Sequence, residues 1–378
     1  MNMTATEALA QLVHIDSVSS RANGEIVSYL ASRAEAMGMK CRRLPYTDDA
    51  GVEKLNLVAL AGTELMETPE VELALVGHTD TVPYDPAWQH ATNLIEQEGK
   101  LYGRGSCDTK GFIAAALTAV ASVDLQALRR PLALVFTADE ELGLIGAKHL
   151  AAARALLPRY AIVGEPTSLQ PMRAGKGYCL LSVTVRGKEA HSAYPTFGAS
   201  AVFRAARLIT QIEKIAAQLR SDQHADFDPP FTTLNVGLIQ GGAAKNVIPG
   251  ECRFTLEWRP VPGQESTRVL DLVKEAIASE RRHDAGFECE FSASRTDDGF
   301  ETPDDSSLVR LLEELSGKLA GTVAFGTEAP QMRALGAEAV VLGPGDIREA
   351  HRTGEFVPVA ELDRCVEILT SAIKRLCM

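Results

Sequence analysis

The stretch PLALVFTADEELG, residues 131–143, joins a continuous apolar run to three consecutive acidic side chains, Asp139, Glu140 and Glu141. A run without alternation is typical of a strand covered on both faces, as in a mostly parallel sheet flanked by helices. Carboxylates at the end of such a strand repel one another and lose hydration, so a compensating charge is expected, and a bound cation would supply it. The alternative is an acidic helix N-terminus, which accounts for one or two of the three acids.

Three more continuous apolar runs have the same character: VELALVG (71–77), YAIVG (160–164) and AVVLG (339–343). Helical segments lie between the runs, for example the Ala-rich GFIAAALTAVASV that follows Lys110. Strands that alternate with helices in this way predict an α/β domain with a mostly parallel sheet.

A second group of segments alternates apolar and polar residues: LLSVTVR, TLNVGLI, CRFTLEW and FECEF. Each predicts an antiparallel strand with one exposed face, and TLNVGLI places Leu234, Val236 and Leu238 on the buried face. Two amphipathic segments, 199–219 and 266–282, complete the ferredoxin-like order strand, helix, strand, strand, helix, strand. We therefore predict an inserted α+β domain at 175–293, within a catalytic domain built from 1–174 and 294–378.

Composition limits the class of protein. The chain has 378 residues and a formal net charge of −12, which argues against nucleic acid or an anionic membrane as a partner. No apolar run approaches a membrane span, and we expect no export signal and a cytoplasmic protein. The seven scattered cysteines form no CxxC pair and are expected to be reduced.

Acidic and histidine residues follow the predicted buried strands, at the sheet edge where ligands of open α/β sheets bind. Besides the acidic triplet they are His78, Asp80, Glu165 and His351, and Asp108 lies in the Gly-rich turn LYGRGSCDTKG. Taken singly, each is equally compatible with a loop, turn or helix-capping residue. Together they provide two histidines and three carboxylates for a two-metal hydrolytic site, and leave one glutamate of the adjacent pair to face the attacking water.

Six motifs resemble, in the same order, those of one di-zinc metallopeptidase family: GHTDTVP, GRGSCDTKG, TADEELG, GEPT, GKEAHSAYP and GPGDIREAH. The family includes carboxypeptidase G, succinyl-diaminopimelate desuccinylase and aminoacylase-1, and the resemblance spans nearly the whole chain. It implies an amide hydrolase that forms a homodimer and binds two divalent metal ions, with zinc expected and cobalt as the alternative.

The resemblance also implies roles for individual residues. Glu140 matches the general base that takes a proton from the attacking water. Asp80 matches a carboxylate that orients the imidazole of His78, whose second N–H must be held. With Asp108 bridging, the implied ligands are His78, Asp108 and Glu165 for one metal, and Asp108, Glu141 and His351 for the other.

The inserted domain resembles the family's lid or dimerisation domain. In it, His191 matches a histidine that reaches the partner subunit's active site and helps to stabilise the tetrahedral intermediate. Asn246 matches a substrate-binding residue, and Arg259 matches an arginine that pairs with a substrate carboxylate, a task that suits a guanidinium fork.

Three segments narrow the expected substrate: GFETP (299–303), FGTEAP (325–330) and GPGDIREAHRTGEF. They look most like the family members that hydrolyse N-acetyl-L-ornithine to L-ornithine and acetate in arginine biosynthesis. Glu328 is either an acidic partner for a positively charged substrate side chain or a solvent-exposed turn residue. The main alternative is a related hydrolase, such as a desuccinylase or a dipeptidase. An inactive binding homologue is disfavoured because Glu140 and all five ligands are present, and a phosphate-binding protein because the Walker spacing is absent.

Overall fold

The computed structural model describes residues 3–378, where the chain forms nine α-helices, three short 3-10 helices and eighteen strands. The α-helices are α1 (Ala5–His14), α2 (Gly24–Ala36), α3 (Lys110–Ala121), α4 (Ile145–Ala152), α5 (Ala201–Leu219), α6 (Arg268–His283), α7 (Ser307–Ser316), α8 (Ala329–Ala334) and α9 (Val359–Cys377). The 3-10 helices are Leu125–Ala127, Pro195–Phe197 and Ile347–Glu349.

The strands, in chain order, are β1 (Lys40–Thr47), β2 (Glu53–Ala61), β3 (Glu70–His78), β4 (Ile95–Gln97), β5 (Lys100–Tyr102), β6 (Leu132–Thr137), β7 (Leu157–Val163), β8 (Met172–Gly175), β9 (Tyr178–Arg186), β10 (Ala190–His191), β11 (Thr233–Gly241), β12 (Val247–Ile248), β13 (Glu251–Arg259), β14 (Glu288–Asp297), β15 (Phe300–Glu301), β16 (Gly321–Val323), β17 (Glu338–Val341) and β18 (Phe356–Pro358).

The chain divides into two compact units. The first comprises residues up to Arg173 together with Thr302–Gly321 and Thr327–Met378, and the second comprises Ala174–Glu301 and Thr322–Gly326. The second unit continues past the predicted end at residue 293 because β14 runs on to Asp297. Its later segment is tied to it by a hydrogen bond from the Lys176 N–H to the carbonyl of Val323, at 3.1 Å.

In the first unit, six strands of one mixed sheet follow the order β1-β2-β6-β3-β7-β17. The four strands β6, β3, β7 and β17 are parallel to one another, whereas β1 and β2 add antiparallel pairs at one side. The four continuous apolar runs of the sequence are these four parallel strands, so the predicted α/β fold with a parallel central sheet is confirmed.

Both faces of this sheet are covered, which explains why its strands are continuously apolar. Leu73 and Leu75 of β3 belong to the main core, which includes residues of helices α1, α2, α3, α7 and α9. Ala74 and Val76 are equally buried but lie outside that core, because successive side chains of a strand point to opposite faces. Helix α4 packs against β2, and α8 packs against β7 and β17.

The second unit contains a four-stranded antiparallel sheet in the order β11-β13-β9-β14. With α5 between β9 and β11, and α6 between β13 and β14, it is the predicted ferredoxin-like arrangement. Residues of both helices form one core with alternate residues of the sheet, such as Leu181 and Val183.

One strand of the second unit departs from the predicted alternation. The pairing of β11 with β13 shifts register between Val236 and Leu238, and Leu238 is 71% exposed. Ile239, on the opposite face, is also 60% exposed, so neither face of this end of the edge strand β11 is covered by the rest of the unit. The prediction that Leu238 is buried is therefore wrong.

The seven cysteines are free, and all except the half-buried Cys41 are buried. Among the described residues, no helix combines the length and apolar character needed to cross a membrane.

Candidate metal centre and active site

The parallel strands of the first unit bring the predicted site residues to one edge of the sheet. β3 ends at His78, with Asp80 just beyond it, and β6 ends at Thr137, two residues before Asp139, the first residue of the acidic triplet. Glu165 follows β7, and His351 follows β17 after a 3-10 helix. Because adjacent parallel strands end on the same side, side chains more than two hundred residues apart in sequence become neighbours.

The carboxylate of Asp108 lies between two imidazoles. Its Oδ1 is 3.0 Å from Nε2 of His78, and its Oδ2 is 3.1 Å from Nε2 of His351. The same nitrogen of His351 lies 3.0 Å from Oε1 of Glu141. Ligand atoms at ~2.0–2.2 Å from one tetrahedral zinc ion lie about 3.3–3.6 Å from one another, so these separations are slightly shorter than those of groups that share a metal.

The electrostatics of the cluster also suit a cation. Burial raises the pKa of Glu140, Glu141 and Glu165, and repulsion by neighbouring carboxylates adds to the effect. Burial opposes ionisation of Asp108 too, but hydrogen bonds with the two histidines outweigh it and hold its pKa low. Hydrogen bonds to Asp108 and Glu141 raise the pKa of His351 to about 10. Divalent cations would displace the protons that such a site otherwise retains, and the imidazole and carboxylate donors fit them.

Asp139, the first acid of the triplet, belongs to a separate buried cluster. Its Oδ1 accepts a hydrogen bond from Lys54 Nζ, and its Oδ2 accepts one from the hydroxyl of Tyr46, both at 2.8 Å. Lys54 also donates to two main-chain carbonyl oxygens, so all three of its donors are used. The helix N-terminus alternative is wrong, because α4 begins at Ile145 and has no acid in its first turn.

Asp80 holds the turn that carries the two glutamates. Its carboxylate accepts hydrogen bonds from the N–H groups of Glu140, at 3.2 Å, and Glu141, at 3.3 Å, and from the hydroxyl of Ser19, at 2.8 Å. The nearest contact of His78 Nδ1 with Asp80 is the main-chain oxygen, at 2.9 Å, while the carboxylate lies 3.7 Å away. The expected carboxylate–imidazole contact is therefore replaced by a carbonyl contact, which fixes the same ring nitrogen.

Two of the predicted residues in the second unit are close neighbours. His191 ends β10, which pairs with β12, and its Nδ1 accepts a hydrogen bond from the N–H of Ala193 at 3.1 Å. The N–H of Ser192 donates to the carbonyl of Asn246 at 3.0 Å. Both His191 and Asn246 are exposed. The structure thus brings the main chains of these two exposed residues close together in the second unit.

Arg259, at the end of β13, is held by its own neighbours. Its Nε donates to Glu257 at 2.8 Å, its Nη1 donates to the carbonyl of Ala324 at 2.6 Å, and the guanidinium lies over the ring of Tyr178. These hydrogen bonds use two of the five N–H donors of the guanidinium.

Glu328 is buried, at 1% exposure, so its interpretation as a solvent-exposed turn residue is wrong. Its Oε1 accepts a hydrogen bond from the hydroxyl of Thr137, whereas its Oε2 is buried without a hydrogen-bond partner among the described residues. Burial raises the pKa of this carboxyl to about 7.

Sequence reasoning missed two buried charges, Lys54 and Glu355. Lys54 neutralises Asp139, and Glu355 accepts hydrogen bonds from the loop that carries Asp108. Lys54 alternates with apolar residues in β2 like any strand lysine, and Glu355 follows a Gly354 turn like any surface acid. Only their contacts with residues far away in sequence distinguish Lys54 and Glu355 from ordinary surface charges, and residue spacing along the chain does not predict such contacts.

Comparison with known proteins identifies the family. The sequence profile of peptidase family M20/M25/M40 matches residues 74–375. An acetylornithine deacetylase from Myxococcus xanthus is 54% identical over 370 residues, which is 98% of this chain and 96% of that protein. An acetylornithine deacetylase from Proteus mirabilis (strain HI4320) is 35% identical over 384 residues, 99% of this chain and 97% of that protein.

Solved structures show the same fold. A tripeptidase from Staphylococcus aureus subsp. aureus Mu50 superposes with a TM-score of 0.75 at 24% identity and covers 100% of this chain and 98% of its own. A dinuclear metal-binding peptidase of the M20 family from Bacillus subtilis has a TM-score of 0.66 at 12% identity, covering 98% of this chain and 97% of its own.

The chain belongs to peptidase family M20/M25/M40. The predicted membership of a metallopeptidase family is therefore confirmed, and the protein is a metal-dependent hydrolase of amide bonds.

Proposed function

We propose that this protein hydrolyses N-acetyl-L-ornithine to L-ornithine and acetate, as a cytoplasmic homodimeric enzyme of arginine biosynthesis with two zinc ions at each site. The observation that carries the proposal is the Asp108 carboxylate, which contacts His78 on one side and His351 on the other, with Glu141 beside His351. The 54% identity to the Myxococcus xanthus acetylornithine deacetylase supports the choice of substrate.

The proposed ligands divide into two sets that share one carboxylate: His78, Asp108 and Glu165, and Asp108, Glu141 and His351. Bound metal ions would polarise the acyl carbonyl and make the attacking water more acidic. Asp108 is suited to the shared position because its two oxygens face different histidines. The Asp80 carbonyl fixes Nδ1 of His78 and so leaves Nε2 to act as ligand.

Glu140 is proposed as the general base. Glu140 is adjacent in sequence to the proposed ligand Glu141. Unlike Glu141, its side chain forms no hydrogen bond with His351. Burial raises its pKa, which favours proton uptake by the carboxylate, as a general base requires. In the proposed reaction, Glu140 takes a proton from water as the water oxygen bonds to the acetyl carbon. It then returns the proton to the ornithine nitrogen as the C–N bond breaks, which leaves acetic acid and a free amine. Transfer of the acid's remaining proton to the amine gives acetate and the ammonium form of ornithine.

The second unit, which includes the predicted residues 175–293, is proposed to act as the lid and dimerisation domain. His191 of one subunit is proposed to stabilise the tetrahedral intermediate in the partner's site, with Asn246 also contacting substrate. The exposure of both residues and the main-chain hydrogen bond that links Ser192 to Asn246 support this. Arg259 is proposed to bind the substrate α-carboxylate with the donors not engaged by Glu257 and Ala324.

Glu328 is proposed to receive the positively charged side chain of ornithine. The buried Oε2 is an acceptor that needs a donor, and an ammonium group supplies both the donor and the compensating charge.

A substrate panel tests the proposed function. Zinc-reconstituted protein is assayed with N-acetyl-L-ornithine, N-succinyl-LL-diaminopimelate and a dipeptide, and kcat/KM is compared. We expect the acetylated amino acid to be preferred by at least about 100-fold. The dipeptide lacks the ammonium that Glu328 would pair, and the succinylated substrate carries additional carboxylates, one of them beside its ammonium. Glu140→Ala protein purified in parallel controls for a contaminating hydrolase. A preference for the succinylated substrate or the dipeptide would refute the assignment.

A further inference from the structure

A buried carboxylate outside the proposed ligand set organises the loop that carries Asp108. Glu355 is 0% exposed and directly precedes β18, whose pairing with β5 places Phe356 opposite Tyr102. The pairing continues beyond the strands, because the N–H of Gly103 donates to the carbonyl of Glu355 at 3.1 Å. The side chain of Glu355 therefore starts where the Gly-rich loop after β5 begins.

Both carboxylate oxygens of Glu355 are fully used by that loop. Oε1 accepts the N–H groups of Cys107, at 2.9 Å, and Asp108, at 3.0 Å. Oε2 accepts the N–H of Gly105, at 3.1 Å, and Nη1 of Arg104, at 2.6 Å. Three main-chain donors converging on one point form an anion-binding nest, and here the anion is supplied by the protein itself.

The nest connects two segments of the metal centre. Asp108 receives one of the hydrogen bonds at its own N–H, so its backbone position depends directly on Glu355. Four residues before Glu355 lies His351, whose Nε2 contacts Oδ2 of Asp108. The same short segment thus provides one histidine of the site and the carboxylate that anchors the residue this histidine contacts.

We propose that Glu355 is a positioning residue, which holds Asp108 between the two histidines so that both metal ions can share its carboxylate. The inference rests on the proposed role of Asp108 as a metal ligand. Glu355 lies behind the ligand and acts through the main chain. A purely structural ion pair with Arg104 would require neither the two bonds to Cys107 and Asp108 nor their convergence beside the shared ligand.

Calorimetric titration of Zn²⁺ into chelator-stripped full-length protein tests the proposal. Glu355→Gln keeps the shape of the side chain but replaces one oxygen with an NH2 group. This group is a hydrogen-bond donor and cannot accept the N–H groups that surround it. We expect Zn²⁺ affinity to fall about 10–100-fold, as is usual when a residue that orients a metal ligand is lost. Amide hydrogen exchange at Gly105, Cys107 and Asp108 should accelerate in the stripped variant, and kcat should fall with little change in KM.

Glu280→Gln is the matched control. Glu280 of the second unit is also buried, at 4% exposure, and its Oε2 accepts a hydrogen bond from Nε of Arg207 at 3.0 Å. This substitution removes a buried carboxylate–arginine pair without touching the site, so Zn²⁺ affinity should stay at the wild-type value. If Glu355→Gln does not fold, Glu355→Asp replaces it. The shorter carboxylate keeps its charge but cannot span the donors on both sides, so affinity should fall by a smaller factor.

The possible outcomes distinguish the positioning role of Glu355 from the proposed metal centre. Wild-type Zn²⁺ affinity and wild-type exchange in a folded Glu355 variant would overturn the positioning role and leave the proposed function intact. Failure of the wild-type protein to bind Zn²⁺ would instead refute the proposed metal centre on which the inference rests.

Discussion

Removal of Lys54 should destabilise the protein far more than removal of an ordinary lysine. Lys54 and Asp139 are at most 1% exposed and lie 2.8 Å apart, and the ammonium also satisfies two main-chain carbonyl oxygens. Lys54→Met fills much of the same volume but leaves the Asp139 carboxylate buried with only the Tyr46 hydroxyl. Breaking a buried pair from one side costs about 3–5 kcal/mol, because the remaining charge is uncompensated.

The assay is urea unfolding of metal-stripped protein at neutral pH, followed by circular dichroism. The double variant Lys54→Met/Asp139→Asn should recover part of the loss, because asparagine removes the orphaned charge, retains an acceptor for Tyr46 and tolerates the positive φ of 55° at this position. Lys274→Met is the control, since its partner Asp271 lies 2.7 Å away at the surface, and an exposed pair contributes at most about 1 kcal/mol.

Two results would refute this reasoning. One is a loss for Lys54→Met no larger than that for Lys274→Met. The other is a double variant that is less stable than the single one, which would mean that the lysine acts through packing and its carbonyl contacts and not through the charge of Asp139.

Five other predictions address the site. Glu140→Gln should lower kcat about 10²–10⁴-fold with zinc content retained, and near-normal turnover would exclude it as the base; Glu141→Gln should instead weaken zinc binding, measured by calorimetry. Glu328→Gln should lower kcat/KM for N-acetyl-L-ornithine more than for N-acetyl-L-methionine, and equal losses would argue against an ammonium contact. In metal-stripped protein, the free energy of unfolding of Glu328→Gln should rise by about 2 kcal/mol relative to that of the wild type between pH 5 and pH 7. The raised pKa of about 7 makes the folded wild type retain a proton that the unfolded chain releases, so its stability falls over this interval, and parallel pH profiles would contradict the shift. Inactive His191→Ala and Glu140→Ala subunits should regain activity when mixed under exchange, because one site of each mixed dimer is then intact; no recovery after verified exchange would place His191 in its own subunit's site.

The pattern of hydrophobic residues predicted most of the strands that are buried on both faces. It failed where the partner strand determines which side chains are buried. Continuous apolar runs located β3, β6, β7 and β17 because both faces of the parallel sheet are covered. The antiparallel strand β1 was not predicted because it is largely exposed and resembles a polar loop. β2 was also missed, although its run LVALA (57–61) is buried and has the same continuous apolar character as the predicted strands. The register of β11 shifts at a bulge opposite β13. Such a shift depends on both strands, so the sequence of β11 alone does not predict it.

The site residues were predicted from the topology of the parallel sheet. The rule that parallel strands end at one edge was sufficient to group His78, Glu141 and His351, which the structure brings together around Asp108. The supporting charges were not predictable in this way. Asp139 looked like part of the same acidic cluster, but its partner is a lysine in β2, far away in sequence.

The central parallel sheet is completed late in synthesis. β17 pairs with β7, yet the whole ferredoxin-like sheet lies between them in the chain. About 180 residues separate the ends of these strands, so at roughly 5–20 residues per second the ribosome exposes the unpaired edge of β7 for about 10–35 s. During that interval the apolar edge is open to wrong pairing, and His351 has not yet been made. Nascent chains that stop before residue 338 should therefore be inactive and aggregation-prone, and they lack the histidine of one of the two proposed ligand sets.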